Sequence, residues 1–464
     1  MRDLIVFGLV CLSLPYCFRR PYVGLLMFTW LAYMRPQDLC WGFAQSMRFS
    51  FYVGLTMVAG FFAHEQGRRP FFRRDVRTRA MLALLILTIL SLIGAKRIDD
   101  SVGSQLFEFT KIVLVAMFTT GQVDTKERIR ALSWVIAVSL GLFGVKGGLH
   151  GILKGGAGIT RGPGGMLEDN NDFALGMVMC LPFVFYMGSS EKSLLVRRLS
   201  NIACVLICIT ILLTHSRGGF LSMTTALLMI AARSGKLFRA SIGLSVLVVL
   251  FFAFAPKDVT DRLGTITDVR EGKQDSSVEG RLVSWAIALE MVKHHPLLGV
   301  GLKNFQANYQ EFGKIVFPGI PVITRVTHNS YLQIWSENGS LAFICFLLIL
   351  FSVFFISART RRIARMRADL AWARTYANMV ETSMAGFVIG GFFLNRGQFD
   401  LTYQVSALAS AVYFSVRAAA YGAPETGPAT DRPSGRVATA VEETPRFGRL
   451  PGPPRRDLVW SRPS

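Results

Sequence analysis

The sequence predicts an all-α polytopic membrane protein, and three observations carry that prediction. Of 464 residues, 51% are hydrophobic and only 17% charged, and the mean hydropathy is +0.40, too apolar for an ordinary soluble enzyme. The apolar residues come in runs that approach the roughly 20 needed to cross a bilayer as a helix. The formal net charge of +21 is gathered into short basic bursts between those runs, which is the pattern of the positive-inside rule. A nucleic-acid-binding face would not be broken up this way, so no nucleic acid is expected as a partner.

The runs lie near 4–18, 21–34, 49–63, 80–95, 107–120, 131–145, 173–188, 199–215, 219–232, 240–255, 340–357, 376–394 and 401–417. They make roughly 12–13 transmembrane helices, the first two short enough to be a broken pair or to lie partly in the interface. Met1-Arg2-Asp3 is followed by an apolar run with no small-residue cleavage site, so the N-terminus reads as a retained span. Basic bursts at Arg68–Arg79, Lys126–Arg130, Lys192–Arg198, Arg233–Arg239 and Arg359–Arg374 assign those loops to the cytoplasm. The loops 146–172 and 256–339 then face the far side, and thirteen crossings put the N-terminus outside and the C-terminus inside. The expected organisation is an N-terminal transmembrane bundle at 1–255, a large outer loop with short catalytic helices at 256–339, C-terminal transmembrane helices at 340–420, and a disordered cytoplasmic tail at 421–464. That tail is rich in Pro, Gly, Thr and Arg and has no apolar period with which to offset its ordering entropy. The seven cysteines lie mostly in apolar runs without metal-type spacing and read as packing residues.

Chemistry concentrates on the outer side. His328-Asn329 stands where the long polar loop meets an apolar run, and the helical spacing of Leu332, Trp335 and Gly339 carries a helix from there into 341–356. A His there also fits a simple helix cap supported by Asn329. In the loop, Ser276-Ser277-Val278-Glu279 offers a capping box for an amphipathic helix with Leu282, Trp285, Ala286, Leu289 and Val292 as its apolar stripe, ended by Pro296. Arg281 is expected in its first turn, where helix amides and dipole favour an anion; an exposed surface Arg fits the same residues. Thr214-His215-Ser216-Arg217-Gly218-Gly219 interrupts two apolar runs, and a charge kept at a membrane boundary serves a pathway, an ion pair or headgroup snorkelling. Lys154 and Arg161 lie in a Gly-rich loop, 147–165, that lacks Walker spacing and has basic residues suited to anionic lipid. The adjacent pairs His294-His295 and Asp99-Asp100 do not have metal-ligand spacing.

Together these stretches resemble the O-antigen ligase and polymerase superfamily: Ser216-Arg217-Gly218-Gly219 at the outer end of a span, Gly280-Arg281 with Trp285, His295-Pro296-Leu297-Leu298-Gly299-Val300-Gly301, and His328-Asn329 with Gly339 ten residues beyond Asn329. The ligase pattern has Gly, Thr or Tyr three residues after that glycine, where this chain has Ala342. The opening Arg20-Pro21-Tyr22-Val23-Gly24-Leu25 and the run Asp169-Asn170-Asn171-Asp172-Phe173-Ala174-Leu175 resemble O-glycosylation ligases of exosortase A systems. The similarity covers roughly residues 1–420.

The resemblance implies a multi-pass enzyme of the bacterial inner membrane whose site faces the periplasm. It would transfer a glycan from an undecaprenyl-diphosphate carrier to a protein or glycolipid acceptor without a metal or cofactor. His328, Arg217 and Arg281 would be catalytic, the arginines holding diphosphate through paired hydrogen bonds and His328 taking the acceptor's proton. Asn329, Tyr331, Lys154, Arg161 and His215 would bind or orient substrate, with membrane lipid as a further partner. A polymerase of the same superfamily and a lipid-linked glycan transporter share much of this pattern.

Overall fold

The structure is a computed structural model that describes residues 1–234 and 276–422, with side chains described from 279 onward in the second stretch. The expected span at 240–255 and the tail beyond Gly422 lie outside the described residues. In chain order the helices are α1 (Arg2–Arg19), α2 (Pro21–Met34), α3 (Phe49–Gly60), α4 (Val76–Ser91), α5 (Asp100–Gln122), α6 (Lys126–Leu153), α7 (Asn170–Ser190), α8 (Leu194–Leu213) and α9 (Arg217–Ser234). After the gap come α10 (Ser276–His294), α11 (Phe305–Val316), α12 (Ser330–Met366), α13 (Trp372–Gly390) and α14 (Asp400–Tyr421). Among the described residues, six stretches are long and apolar enough to cross a membrane: Val76–Gly94, α5, α6, α7, α8 and α12. Helix α2 is apolar but shorter, and no strand forms among the described residues. The protein is thus all-α and polytopic, as its sequence predicts.

Local sequence explains where helices begin. Asp75 caps α4 by accepting from the Thr78 amide, Asp99 caps α5, Asp169 caps α7 and Asn329 caps α12, each offering a short polar side chain to amides that have no helical partner. Asp99 of the acidic pair is therefore a helix cap. Helix α7 is the centre of the bundle: residues Asp172–Val184 are buried, and α6, α8, α9 and α13 surround it. Helix α12 packs on α4, α13 and α14, so the last three helices interleave with the first nine.

At the basic end the bundle is tied by ion pairs. Arg361 grips Glu381 with two bonds of 2.5 and 2.9 Å, and Arg233 adds a third of 2.7 Å, joining α9, α12 and α13 through one buried carboxylate. Arg77 pairs with Asp75 and reaches Ser410 on α14. Burying charge costs desolvation, so such contacts act chiefly on the register of the helices they join.

Three expectations change. Helix α6 runs to Leu153 rather than ending near 145, so Lys146 and Gly147 are helical and the Gly-rich loop starts later. Helix α10 is described from Ser276, which puts Arg281 no earlier than its second turn, away from the free amides expected to help it bind an anion. Its buried face is Ser284, Ile287, Ala288, Met291 and the expected Val292; Trp285 and Ala286 are half-buried, while Leu282 and Leu289 are exposed. The neighbour decides this: α11 presents Phe305, Tyr309 and Phe312, and the apolar contact forms where those rings lie.

Candidate active site

The stretch Ser330–Met366 consists of two helical segments that meet at a kink at Gly339, where φ is 83° and ψ 175°. A Cβ there would run into the Leu297 carbonyl, and the left-handed φ is one that glycine adopts without strain. The segment 295–301 docks on this break. The amides of Val300 and Gly301 donate to the carbonyls of Ser336 and Glu337, both at 2.9 Å, and the Ser340 amide donates to Pro296 at 2.8 Å. Backbone groups exposed by the break thereby find partners, as buried polar groups must. Glu337 continues the lock by accepting from the Phe305 amide at 3.4 Å, which anchors the start of α11.

About three turns before Gly339, the chain enters α12 through His328. Its φ is 48°, in the left-handed region that non-glycine residues rarely occupy. Neighbours on both sides hold it there. Asn329 Oδ1 accepts from the amides of Tyr331 (2.9 Å) and Leu332 (3.1 Å). On the other side, Thr327 is fixed by Trp285 of α10, whose indole donates to the Thr327 carbonyl at 2.9 Å, and by a hydroxyl bond to Asn395. His215, just ahead of α9, repeats the conformation with φ 51°. Burial pushes its imidazole below the ordinary value, and the Gly158 backbone is so close that a Cβ there would lie 2.8 Å from Nε2.

The electrostatics of His328 show what surrounds it. Burial pushes its pKa below 6.5, Arg281 lowers it further, Asp169 acts in the opposite sense and Arg325 lowers it again. Arg325 lies against Gly280, where a Cβ would meet its guanidinium at 2.5 Å, so two cations flank this helix turn. Asp169 belongs also to a cavity of 350 Å³ lined by Thr160, Arg161, Gly165, Glu168, Asp169 and Arg396. Arg396 pairs with the buried Asp172 on α7, and its amide donates to Ser330 Oγ at 2.9 Å. The loop 391–399 therefore clamps the start of α7 to the start of α12.

Arg217 opens α9 and is exposed. Ser216 caps that helix by accepting from the Gly219 amide at 3.1 Å. Gly218 sits against Phe393, and Asn170 at the start of α7 donates to the Thr214 carbonyl at 2.9 Å. The starts of α7, α9 and α12 thus share the 391–399 loop, and the electrostatics of His328 tie in Arg281 of α10. Of the residues picked from sequence, Arg281 bears on His328 through its charge, Arg161 lines the cavity that holds Asp169 and Arg396, and His215 and Arg217 lie on the turn before and at the start of α9, which meets the 391–399 loop through Gly218. Tyr331 is buried, with its hydroxyl donated to the Val388 carbonyl at 2.7 Å and its ring on Phe392, so it braces α12 against α13. Lys154 is exposed at the end of α6, and none of the described contacts joins it to this group.

Sequence reading passes over Arg325 and Arg396, and takes Asp169 and Asp172 only as part of a run that carries the resemblance. For Arg396 a signal existed: an Arg in the short loop between two apolar runs on the side opposite the basic bursts runs against the positive-inside pattern. Among the described residues, no group of three or more His, Cys, Asp or Glu stands close enough to hold a metal ion.

Residues 1–191 match a family of unknown function. No curated protein matches the chain. Residues 202–347, which include Arg217, Arg281, Arg325 and His328, match the O-antigen ligase family, and that match supports the O-antigen ligase superfamily as the relation of this membrane protein.

Proposed function

We propose that this protein is a metal-independent membrane glycosyltransferase of O-antigen ligase type. It transfers a glycan from an undecaprenyl-diphosphate carrier to the hydroxyl of a protein or a lipid core, at the periplasmic face of the bacterial inner membrane. The observation that carries this is the strained His328 turn flanked by Arg281 and Arg325, within the segment similar to O-antigen ligases. A His kept neutral by burial and nearby cations is a proton acceptor near neutral pH. The basic loops at the opposite end of the bundle support the periplasmic placement. The opening residues and the Asp169–Leu175 run support an O-glycosylation ligase of the exosortase-associated kind.

In the reaction the acceptor hydroxyl gives its proton to the His328 imidazole as its oxygen attacks the anomeric carbon. The bond between that carbon and the diphosphate oxygen breaks, and undecaprenyl diphosphate leaves with the electron pair. Arg281 and Arg217 bind the diphosphate, whose charge grows as the bond breaks; guanidinium suits this because it stays charged and bonds phosphate through two parallel N–H groups. His328 then returns its proton to solvent. In this reading the sugar next to the diphosphate occupies the cavity that Asp169 and Arg396 line.

The test is a transfer assay with the purified chain in lipid, a labelled undecaprenyl-diphosphate glycan and separate protein and glycolipid acceptors. Label on an acceptor supports the ligase. Lengthened glycan still on the carrier would indicate a polymerase, and glycan moved across the bilayer without a new bond would indicate a transporter.

A further inference from the structure

We infer a second binding site, for a phosphate-bearing lipid, in the first third of the chain, between α3 and α5. It does not depend on the His328 chemistry. Two adjoining cavities build it. One, of 340 Å³, is polar and holds Arg35, Gln37, Asp38, Arg48, Glu108 and Lys111; the other, of 290 Å³, is walled by carbon, including Leu55, Val58, Leu114, Val115 and Phe118. Ser50, Phe51, Phe107 and Lys111 border both, so the polar cavity opens into the apolar one.

The dimensions and charge fit one occupant. Along α5 the apolar groove runs from Phe107 to Phe118, which at about 1.5 Å per residue is about 16 Å, or half of a hydrocarbon core of about 30 Å. That is the depth of one leaflet and the reach of one lipid chain. At the polar end three cations face two carboxylates, and both carboxylates already have partners: Asp38 is bonded by Arg35 at 2.5 Å and Glu108 by Lys111 at 2.7 Å. The surplus charge is positive. Lys111 stands midway along a candidate span, where an ionised side chain is costly and is kept for a ligand, a pathway or an ion pair; its partner Glu108 is itself on the wall of the polar cavity. Gln37 Oε1, which lines the polar cavity, is buried and has no hydrogen-bond partner among the described residues. A lipid headgroup with phosphate and hydroxyl groups supplies what these side chains lack. The site also communicates with the first: the Arg35 guanidinium is pressed against Gly165, which lines the cavity of Asp169 and Arg396.

Bilayer phospholipid and a lipid-linked diphosphate share this chemistry, and the experiment separates them. The delipidated full chain is titrated with phosphatidylglycerol, phosphatidylcholine, a polyprenyl diphosphate and inorganic phosphate, and bound molecules are counted by native mass spectrometry. Three forms are compared: the parent, R48Q/K111Q, which removes two headgroup cations, and Gly54→Phe, which fills the groove at a position where a Cβ meets only the edge of Phe28 at 3.4 Å. We expect anionic lipid to bind more tightly than phosphatidylcholine, and R48Q/K111Q to weaken it by at least roughly thirtyfold, since a cation at a membrane surface is worth about a factor of five and Lys111, inside the span, is worth no less. Gly54→Phe should weaken it too while the melting temperature holds. Equal binding of phosphatidylglycerol and polyprenyl diphosphate assigns a general anionic-lipid site, and preference for the diphosphate assigns a donor route; both support the proposal. Inorganic phosphate binding as well as either lipid, or anionic lipid binding unchanged in both variants, would overturn it.

Discussion

Replacing His328 by glycine and by alanine separates the work of its backbone from that of its ring. At φ 48° the residue sits in a conformation that costs a non-glycine side chain about 1–2 kcal/mol. Glycine adopts it freely but gives the unfolded chain extra entropy worth about 0.4–1 kcal/mol. Both variants lose the same imidazole contacts, so the difference between them isolates the backbone. His328→Gly should therefore be the more stable of the two by about 1 kcal/mol, read as a melting temperature about 1–2 °C higher in a chain of this size. Transfer tells the other half, because neither variant has a base. Both should lose about a hundredfold to ten-thousandfold in rate, or about 2.7–5.5 kcal/mol of transition-state stabilisation. The assays are thermal unfolding in lipid nanodiscs and initial-rate glycan transfer on the same preparations. His328→Gly being less stable than His328→Ala would refute the strained turn, and a glycine variant near parental activity would refute the ring as base.

The acid limb of the rate profile should follow His328. Because its pKa is depressed, the neutral form is present at neutral pH and is lost only as pH falls through a value below 6.5. Removing the Arg281 charge (Arg281→Gln) should move that limb to higher pH and Asp169→Asn should move it lower; the reverse order would show that His328 does not govern it. Gly339→Ala meets both the Leu297 carbonyl and a left-handed φ, so it should destabilise by more than about 1–2 kcal/mol and free the 295–301 segment, seen as faster amide exchange at Val300 and Gly301. Transfer should persist in excess chelator, since guanidinium groups supply the fixed charge; activity lost on chelation and restored by magnesium or manganese would contradict this.

Much of the architecture is legible in the sequence because long apolar runs have few alternatives to a membrane helix, and short polar residues such as Asp75, Asp99 and Asn329 mark where helices begin. The break at Gly339 is not, because helical spacing continues on both sides and the partner that stabilises the break, 295–301, is some forty residues away. The buried face of α10 is legible only in part for a related reason: Val292 is buried as its spacing predicts, but Leu282 and Leu289 are exposed, because the rings of α11 meet Ile287, Ala288 and Met291. In the site, His328, Arg217 and Arg281 stand out as charged or titratable residues where the chain enters or leaves apolar stretches. Arg325 does not, since it lies in a loop without periodicity and is brought beside Arg281 only by folding against Gly280. Tyr331, three residues past His328, looks like a neighbour in a continuous helix, yet the helix starts only at Ser330 and its ring faces α13.

Donor binding and transfer measured side by side on His328→Ala test the central claim most directly. The purified variant in lipid should bind the undecaprenyl-diphosphate glycan within about threefold of the parent while transferring it about a hundredfold to ten-thousandfold more slowly, whereas Arg217→Ala and Arg281→Ala should lose both binding and turnover. Equal losses of binding and transfer in a folded His328→Ala, or transfer that continues at the parental rate, would contradict the assignment of His328 as the base.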